Sequence, residues 1–154
     1  MRSRNPGDDK SNSIRLRVRF DYKGTIKRGK ITFRSRNVEQ IAEHVREHKV
    51  ALLRNVPMQG ISIEDIDMSP DVYTVYDDFS GNSVGFAPAI ITLEVDSIED
   101  AIQFVMKEEF RKVEILEPDS LTFDRLDIER FLFKANEELK AFKVFLEKKM
   151  EYWK

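Results

Sequence analysis

The sequence has no cysteine and little of several other residue types that carry chemistry. With no Cys among its 154 residues, the chain has no disulfide, no thiolate metal ligand and no thiol nucleophile. It has only two His and one Trp. No apolar run approaches the roughly 18 residues that a membrane-spanning helix needs, and the polar stretch from Met1 to Ser13 does not have the pattern of a signal peptide. We therefore expect a cytoplasmic protein without membrane insertion.

Charge is distributed unevenly along a chain whose net charge is only -2. Residues 1–36 carry twelve Lys or Arg against three Asp, a net charge of +9. Residues 37–127 carry seven Lys or Arg against twenty Asp or Glu, a net charge of -13. This asymmetry indicates either a polyanionic partner for the basic segment or docking of that segment on the acidic remainder of the chain.

An internal similarity organises the sequence. The stretch ITFRSRNVEQIAEHV at residues 31–45 is matched by ITLEVDSIEDAIQFV at residues 91–105, an offset of 60. Upstream, residues 18–24 match residues 75–81, and downstream, the apolar residues of 61–66 match those of 121–126. This pattern predicts a duplication, with a chance similarity of two hairpins as the alternative.

The first copy has the pattern of a hairpin, a helix and a strand. Strict alternation from Ile14 to Tyr22 predicts a half-buried strand with a basic outer face, and residues 30–35 are predicted to return as the second strand of a hairpin. Asn37 is a suitable N-cap for a helix with apolar spacing from Val38 to Val45. The apolar residues 50–56 are predicted to form the third strand, ended by a proline.

The second copy repeats this order with strands at residues 72–79, 91–95 and 113–116, and a helix capped by Ser97. We predict an α+β fold of two related hairpin-helix-strand (ββαβ) units that share a core. The units span residues 14–68 and 72–126, after a disordered tail at 1–13 and before a long amphipathic helix at 127–154.

The C-terminal helix is the first candidate interaction surface. Its broad apolar face contains Phe131, Leu132, Ala135, Leu139, Phe142, Leu146, Met150 and Trp153. Either this face packs across both units, or its distal end pairs with a second copy or another protein. The partner-interface candidates are Phe142, Phe145, Leu146, Met150 and Trp153.

The basic N-terminal hairpin is the second candidate surface. The polyanion-binding candidates are Arg15, Arg17, Arg19, Lys27, Arg28, Lys30 and Arg34. On a hairpin these cations form a compact ribbon that can follow the phosphates of a nucleic acid. The alternatives are a charged edge that prevents aggregation, or a surface that docks on the acidic part of the chain.

A possible metal motif is weak. His44 and His48 enclose Glu47 in the spacing H-x-x-E-H, in which two His ligate zinc. The sequence indicates no third metal ligand, and the second copy has Phe104 and Glu108 at the positions equivalent to the two His. We interpret the two His as residues at the boundary between the apolar and the polar side of a helix. We predict no cofactor and no catalytic site.

One segment resembles a known module. The pattern Phe20-x-Tyr22-x-Gly24, with Gly29, Ile31, Phe33 and Ser35 following before a helix, resembles the small soluble lead-in unit of the inner-membrane platform proteins of type II secretion and type IV pilus assembly. The chain lacks the membrane helices of those proteins, and its second copy keeps only Gly81 in register. The resemblance implies an assembly or adaptor module with no chemistry of its own.

These observations favour a non-enzymatic cytoplasmic interaction module, which self-associates as a homo-oligomer or docks a protein partner through its C-terminal helix. The alternative is nucleic-acid binding through the basic hairpin. The two differ in their expected response to salt, because apolar burial is little screened whereas phosphate contacts weaken steeply.

Overall fold

The computed structural model describes residues 13–26, 37–79 and 81–151. Within these ranges the chain forms five strands and three helices, an α+β fold as predicted. In chain order the elements are β1 (Ile14–Gly24), α1 (Val38–Asn55), β2 (Ile61–Asp67), β3 (Tyr73–Asp77), β4 (Asn82–Val95), α2 (Ile98–Val105), β5 (Phe110–Glu117) and α3 (Arg125–Glu151). Most of the predicted tail, the predicted hairpin return at residues 30–35 and Trp153 lie outside the described residues.

The described strands form one antiparallel sheet in the order β2-β4-β1-β5. The long strand β4 pairs with β1 along one edge, from Gly85 to Val95. Its other edge pairs first with β3 and then with β2. Strands from both predicted units therefore belong to a single sheet, with β1 and β4 at its centre.

Two interleaved βαβ units build this sheet. Strands β1 and β2 run in the same direction with β4 between them, because both are antiparallel to β4. Strands β4 and β5 are likewise parallel to each other with β1 between them. The order β1-α1-β2 followed by β4-α2-β5 is the split βαβ topology of the ferredoxin-like arrangement, here with the short β3 and the long α3 added.

The core lies between one face of the sheet and the helices α1 and α2. Alternate residues of β1 from Ile14 to Tyr22 point into it and are buried, as their spacing predicts. The buried residues of α1 and α2, among them Val50 and Phe104, cover this face over β1 and β4. Over β5 the cover is incomplete, since Val113 and Ile115 lie on the same face and are exposed.

Helix α1 begins as predicted but ends later. The side chain of Asn37 accepts a hydrogen bond from the backbone N–H of Gln40 at 2.8 Å, the expected N-cap. The prediction of a strand at residues 50–56 is wrong, because α1 continues to Asn55. Within this run Val50 is buried while Leu52 is exposed and Leu53 packs on the core, a helical rather than an alternating distribution.

Two glycines let α1 lie directly on the sheet. Gly24 of β1 and Gly85 of β4 are register partners. A Cβ atom at Gly85 would lie 2.3 Å from the carbonyl oxygen of Val38, and one at Gly24 would lie 2.3 Å from the backbone nitrogen of Ala42. Only residues without a side chain permit this approach of the first turns of α1.

The internal similarity matches the structure for the helices but not for every strand. The offset of 60 relates the start of α1 to α2, and Ser97 caps α2 by accepting from the backbone N–H of Asp100. Residues 61–66 belong to strand β2, whereas residues 121–126 lead into α3. The apolar match between these two segments is therefore not accompanied by the same secondary structure, because a shared apolar pattern of six residues fits both a strand and a helix start.

Candidate interaction surfaces

The arginines of β1 lie on the sheet face opposite the core. Arg15, Arg17 and Arg19 alternate with buried residues, as the sequence predicts. Side chains of β2, β4 and β5 also lie on this outer face, and several of them are acidic. The basic and acidic parts of the chain thus meet across the sheet.

Two of these arginines are paired with carboxylates of other strands. The Nε atom of Arg15 lies 2.8 Å from Oε2 of Glu64, and its Nη1 atom lies 3.9 Å from Glu117. The hydrogen bond to Glu64 raises the pKa of Arg15. The Nη1 atom of Arg17 donates to Glu114 at 3.3 Å. Their charges are therefore balanced within the chain.

The third arginine belongs to a cluster around a buried carboxylate. Asp21 is only 3% exposed, although it lies on the outer face. Its Oδ1 atom accepts from Nε of Arg19 at 2.8 Å, and its Oδ2 atom accepts from the hydroxyl of Tyr73. The Nε atom of Arg111 lies 3.8 Å from the same carboxylate. The cluster ties β1 to β3 and β5, since a buried charge must be paired to be tolerated.

The remaining cations of the basic ribbon, Lys27, Arg28, Lys30 and Arg34, lie outside the described residues. Polyanion binding stays a prediction for them. For Arg15 and Arg17 the geometry favours the alternative drawn from the sequence, in which the basic segment docks on the acidic part of the chain. Arg19 instead pairs with Asp21 of its own strand.

Helix α3 has a different environment from every other helix described. It has 27 residues, all of them described, and none is buried. At about 1.5 Å per residue it is about 40 Å long. It packs along one side on α2, and its end is held by Nζ of Lys149, which lies 2.7 Å from Oε1 of Glu108. The rest of its surface faces solvent.

An apolar stripe runs along the exposed side of α3. We define the α3 stripe as Ile128, Leu132, Leu139, Leu146 and Met150, all of which are exposed. Leu132 is 61% exposed and Met150 is 66% exposed. Half-buried Ala135 and Phe142 fill the intervals, so that the apolar residues recur every three or four positions. This spacing is that of a coiled-coil seam.

The sequence pattern indicated only part of this surface. Of its interface candidates, Leu146 and Met150 lie in the α3 stripe, Phe145 is exposed beside it, and Phe142 is half-buried. The predicted interface lies at the distal end of the helix, whereas apolar residues are exposed from Ile128 onward. The signal that could have shown this is the spacing of three and four residues sustained through residues 128–146.

The weak metal motif is not reinforced by its surroundings. His44 and His48 are exposed on α1. Across residues 13–26, 37–79 and 81–151, no group of three or more His, Cys, Asp or Glu side chains is arranged to hold a metal ion. In the same ranges no helix combines the length and the apolar character needed to cross a membrane.

Comparison with known proteins finds no family model, no curated protein and no solved structure that matches this chain. The interpretation of its function therefore depends on the chain's own geometry.

Proposed function

We propose that this protein is a non-enzymatic, cytoplasmic interaction module that self-associates through the α3 stripe. The single observation that carries the proposal is a 27-residue helix with no buried residue and with exposed apolar side chains that recur along one side. Each large apolar side chain left in water forgoes roughly 1.5–3 kcal/mol that burial would contribute. The assembly role agrees with what the resemblance to secretion and pilus platform modules implies.

A second copy is the partner that the spacing favours. Leu132, Leu139 and Leu146 recur at intervals of seven, the repeat that keeps a seam facing an identical helix.

Sedimentation equilibrium of the full chain at micromolar concentration tests the proposal. We expect a dimer that persists at high salt, because apolar burial is little screened by ions. Leu139→Glu places a charge in the seam and is expected to weaken association by at least about a hundredfold, since each 1.4 kcal/mol corresponds to tenfold.

The matched control is Val144→Glu. Val144 is an exposed apolar residue of the same helix that lies outside the α3 stripe, and its variant is expected to associate like the original chain. A monomeric original chain would contradict the proposal. Loss of association in both variants, or association retained in both, would also contradict it. In the second case the exposed Val113 and Ile115 of β5 would be the next candidates for an interface.

The nucleic-acid alternative receives no support from the described residues of β1, whose arginines are paired with carboxylates. It stays a prediction that rests on the cations between residues 27 and 34.

A further inference from the structure

Strand β5 forms one edge of the sheet and is paired with β1 alone. Among residues 13–26, 37–79 and 81–151, no strand pairs with its outer edge. An eight-residue strand paired on one side directs a row of backbone N–H and C=O groups outward. The occupant that satisfies such a row is another extended segment, which adds a strand to the sheet.

The middle of β5 has one apolar side and one charged side. Val113 and Ile115 lie on the core side, where the cover is incomplete, and they are 43% and 50% exposed. Lys112 and Glu114 lie on the outer side, with Nζ of Lys112 at 2.8 Å from Oε1 of Glu114. Apolar residues and charges of alternating sign therefore follow one another along this edge.

The order of these charges makes the edge complementary to itself. In an antiparallel pair of β5 strands centred on Val113, this residue lies opposite its own copy, and Lys112 lies opposite Glu114 of the second copy at two places. In registers centred one residue away, two Lys112 or two Glu114 side chains lie opposite each other, which is unfavourable. Charges on an edge strand usually prevent such pairing, but here their alternation favours one register.

We propose that two copies of the chain pair antiparallel through the outer edge of β5, centred on Val113. Directly opposite residues lie on the same face of a sheet, so this register places both cores on one side and brings the two Val113 side chains into contact. The contact is isologous, since the same residues act in both copies. The partner is a second copy of this chain, because its own charges supply the match.

This contact goes beyond the proposed function, because it uses no residue of the α3 stripe. A chain with two different isologous contacts joins its α3 pairs into larger assemblies. The β5 contact is short and partly charged, so we expect a Kd of roughly 0.1–1 mM. At micromolar concentration the α3 dimer is therefore expected to predominate.

Single cysteines test the register, because the chain has no Cys of its own. Directly opposite residues have Cα atoms about 4.5–5.5 Å apart, which suits a disulfide. Val113→Cys at roughly 0.5 mM is therefore expected to form a covalent dimer on mild oxidation, measured by non-reducing electrophoresis. Ile115→Cys is the matched control and is expected to stay monomeric, because its two copies would be about 14 Å apart.

Every chain in this experiment also carries Leu139→Glu, which removes pairing through α3. The result is then independent of the proposed function, whose failure appears instead as a monomeric original chain in sedimentation equilibrium. Absence of the Val113→Cys dimer, or equal cross-linking of Val113→Cys and Ile115→Cys, would overturn the inference.

Charge reversal tests the second copy as the partner. Adding Lys112→Glu or Glu114→Lys to the Val113→Cys chain places like charges opposite each other, and each is expected to reduce cross-linking about fivefold. An equimolar mixture of the two chains restores opposite charges at both places. We expect it to recover a mixed covalent dimer, identified by its mass. A folding defect would not be rescued by mixing, and a mixture that cross-links no better than its components would overturn the inference.

Discussion

Strand β1 and helix α3 are both amphipathic, but the rest of the chain buries the apolar side of β1 and leaves much of the apolar side of α3 exposed. The apolar side of β1 is buried beneath α1 and α2, and the arginines of its other side are paired with carboxylates of the same chain. Helix α3 has 27 residues against the 11 of β1, and it buries none of them. Of these two elements, α3 is therefore the one that leaves apolar side chains exposed, although the sequence makes the basic strand the more conspicuous feature.

The same Leu→Ala substitution in β1 and in α3 should give the largest difference in the free energy of unfolding. Leu16→Ala in β1 removes a side chain that is 2% exposed and is expected to lower the free energy of unfolding by about 2–5 kcal/mol. Leu139→Ala in α3 removes one that is 59% exposed and should change the stability of the monomer by no more than about 0.5 kcal/mol. Urea unfolding at low protein concentration measures both. Equal losses would contradict the contrast between the elements.

The buried carboxylate of β1 should give the next largest effect. Asp21→Ala leaves Arg19 and the hydroxyl of Tyr73 without their acceptor, and a loss of about 1–3 kcal/mol is expected in urea unfolding. Lys23→Ala, two positions further along the same strand and exposed, is the control and should fall within about 0.5 kcal/mol of the original chain. A neutral Asp21→Ala would mean that the cluster does not stabilise the sheet.

A smaller effect is expected from the exposed pairs, and it should depend on pH. Lys112, and to a lesser degree Arg17, lowers the pKa of Glu114 from its ordinary value of 4.5. Because the folded-state pKa is depressed, the stability that Glu114 contributes is present above pH 4.5 and is lost as the pH falls through the folded-state pKa. The difference in unfolding free energy between the original chain and Glu114→Gln should shrink from neutral to acidic pH. A difference that stays constant would exclude this pairing as its cause.

The smallest expected effect concerns nucleic acid. Arg15→Ala combined with Arg17→Ala should leave the binding of labelled single- and double-stranded DNA and RNA unchanged within about twofold, because these arginines already pair with carboxylates. Fluorescence anisotropy at two salt concentrations measures the affinity and its salt slope, which is about -0.9 per contacted phosphate on duplex DNA. Lys27→Ala combined with Arg28→Ala is the comparison variant. Loss of binding in the β1 variant alone would restore β1 as a polyanion site.

Much of the local structure followed from short patterns in the sequence. The alternation of β1, the N-caps at Asn37 and Ser97 and the uninterrupted apolar face of α3 were all predicted. The extension of α1 through Val50 was not, because a run of seven residues rich in apolar side chains fits a buried strand as well as a helix. The candidate interface was predicted only at the distal end of α3. The sequence could not show which part of this helix is covered by other elements of the chain.

The sequence by itself determined which residues alternate, where the helices begin and which side of each element is apolar, because these properties depend on neighbours within one or two turns. Only the tertiary structure decided the strand order and the partners of the charges, since Arg15 and Glu64 are 49 residues apart and Arg17 and Glu114 are 97 apart. The tertiary structure also decided that α1 packs closely on the sheet at two glycines. It decided as well that α3 extends beyond α2 with apolar side chains exposed to solvent. These outcomes depend on contacts between distant segments, which no local pattern specifies.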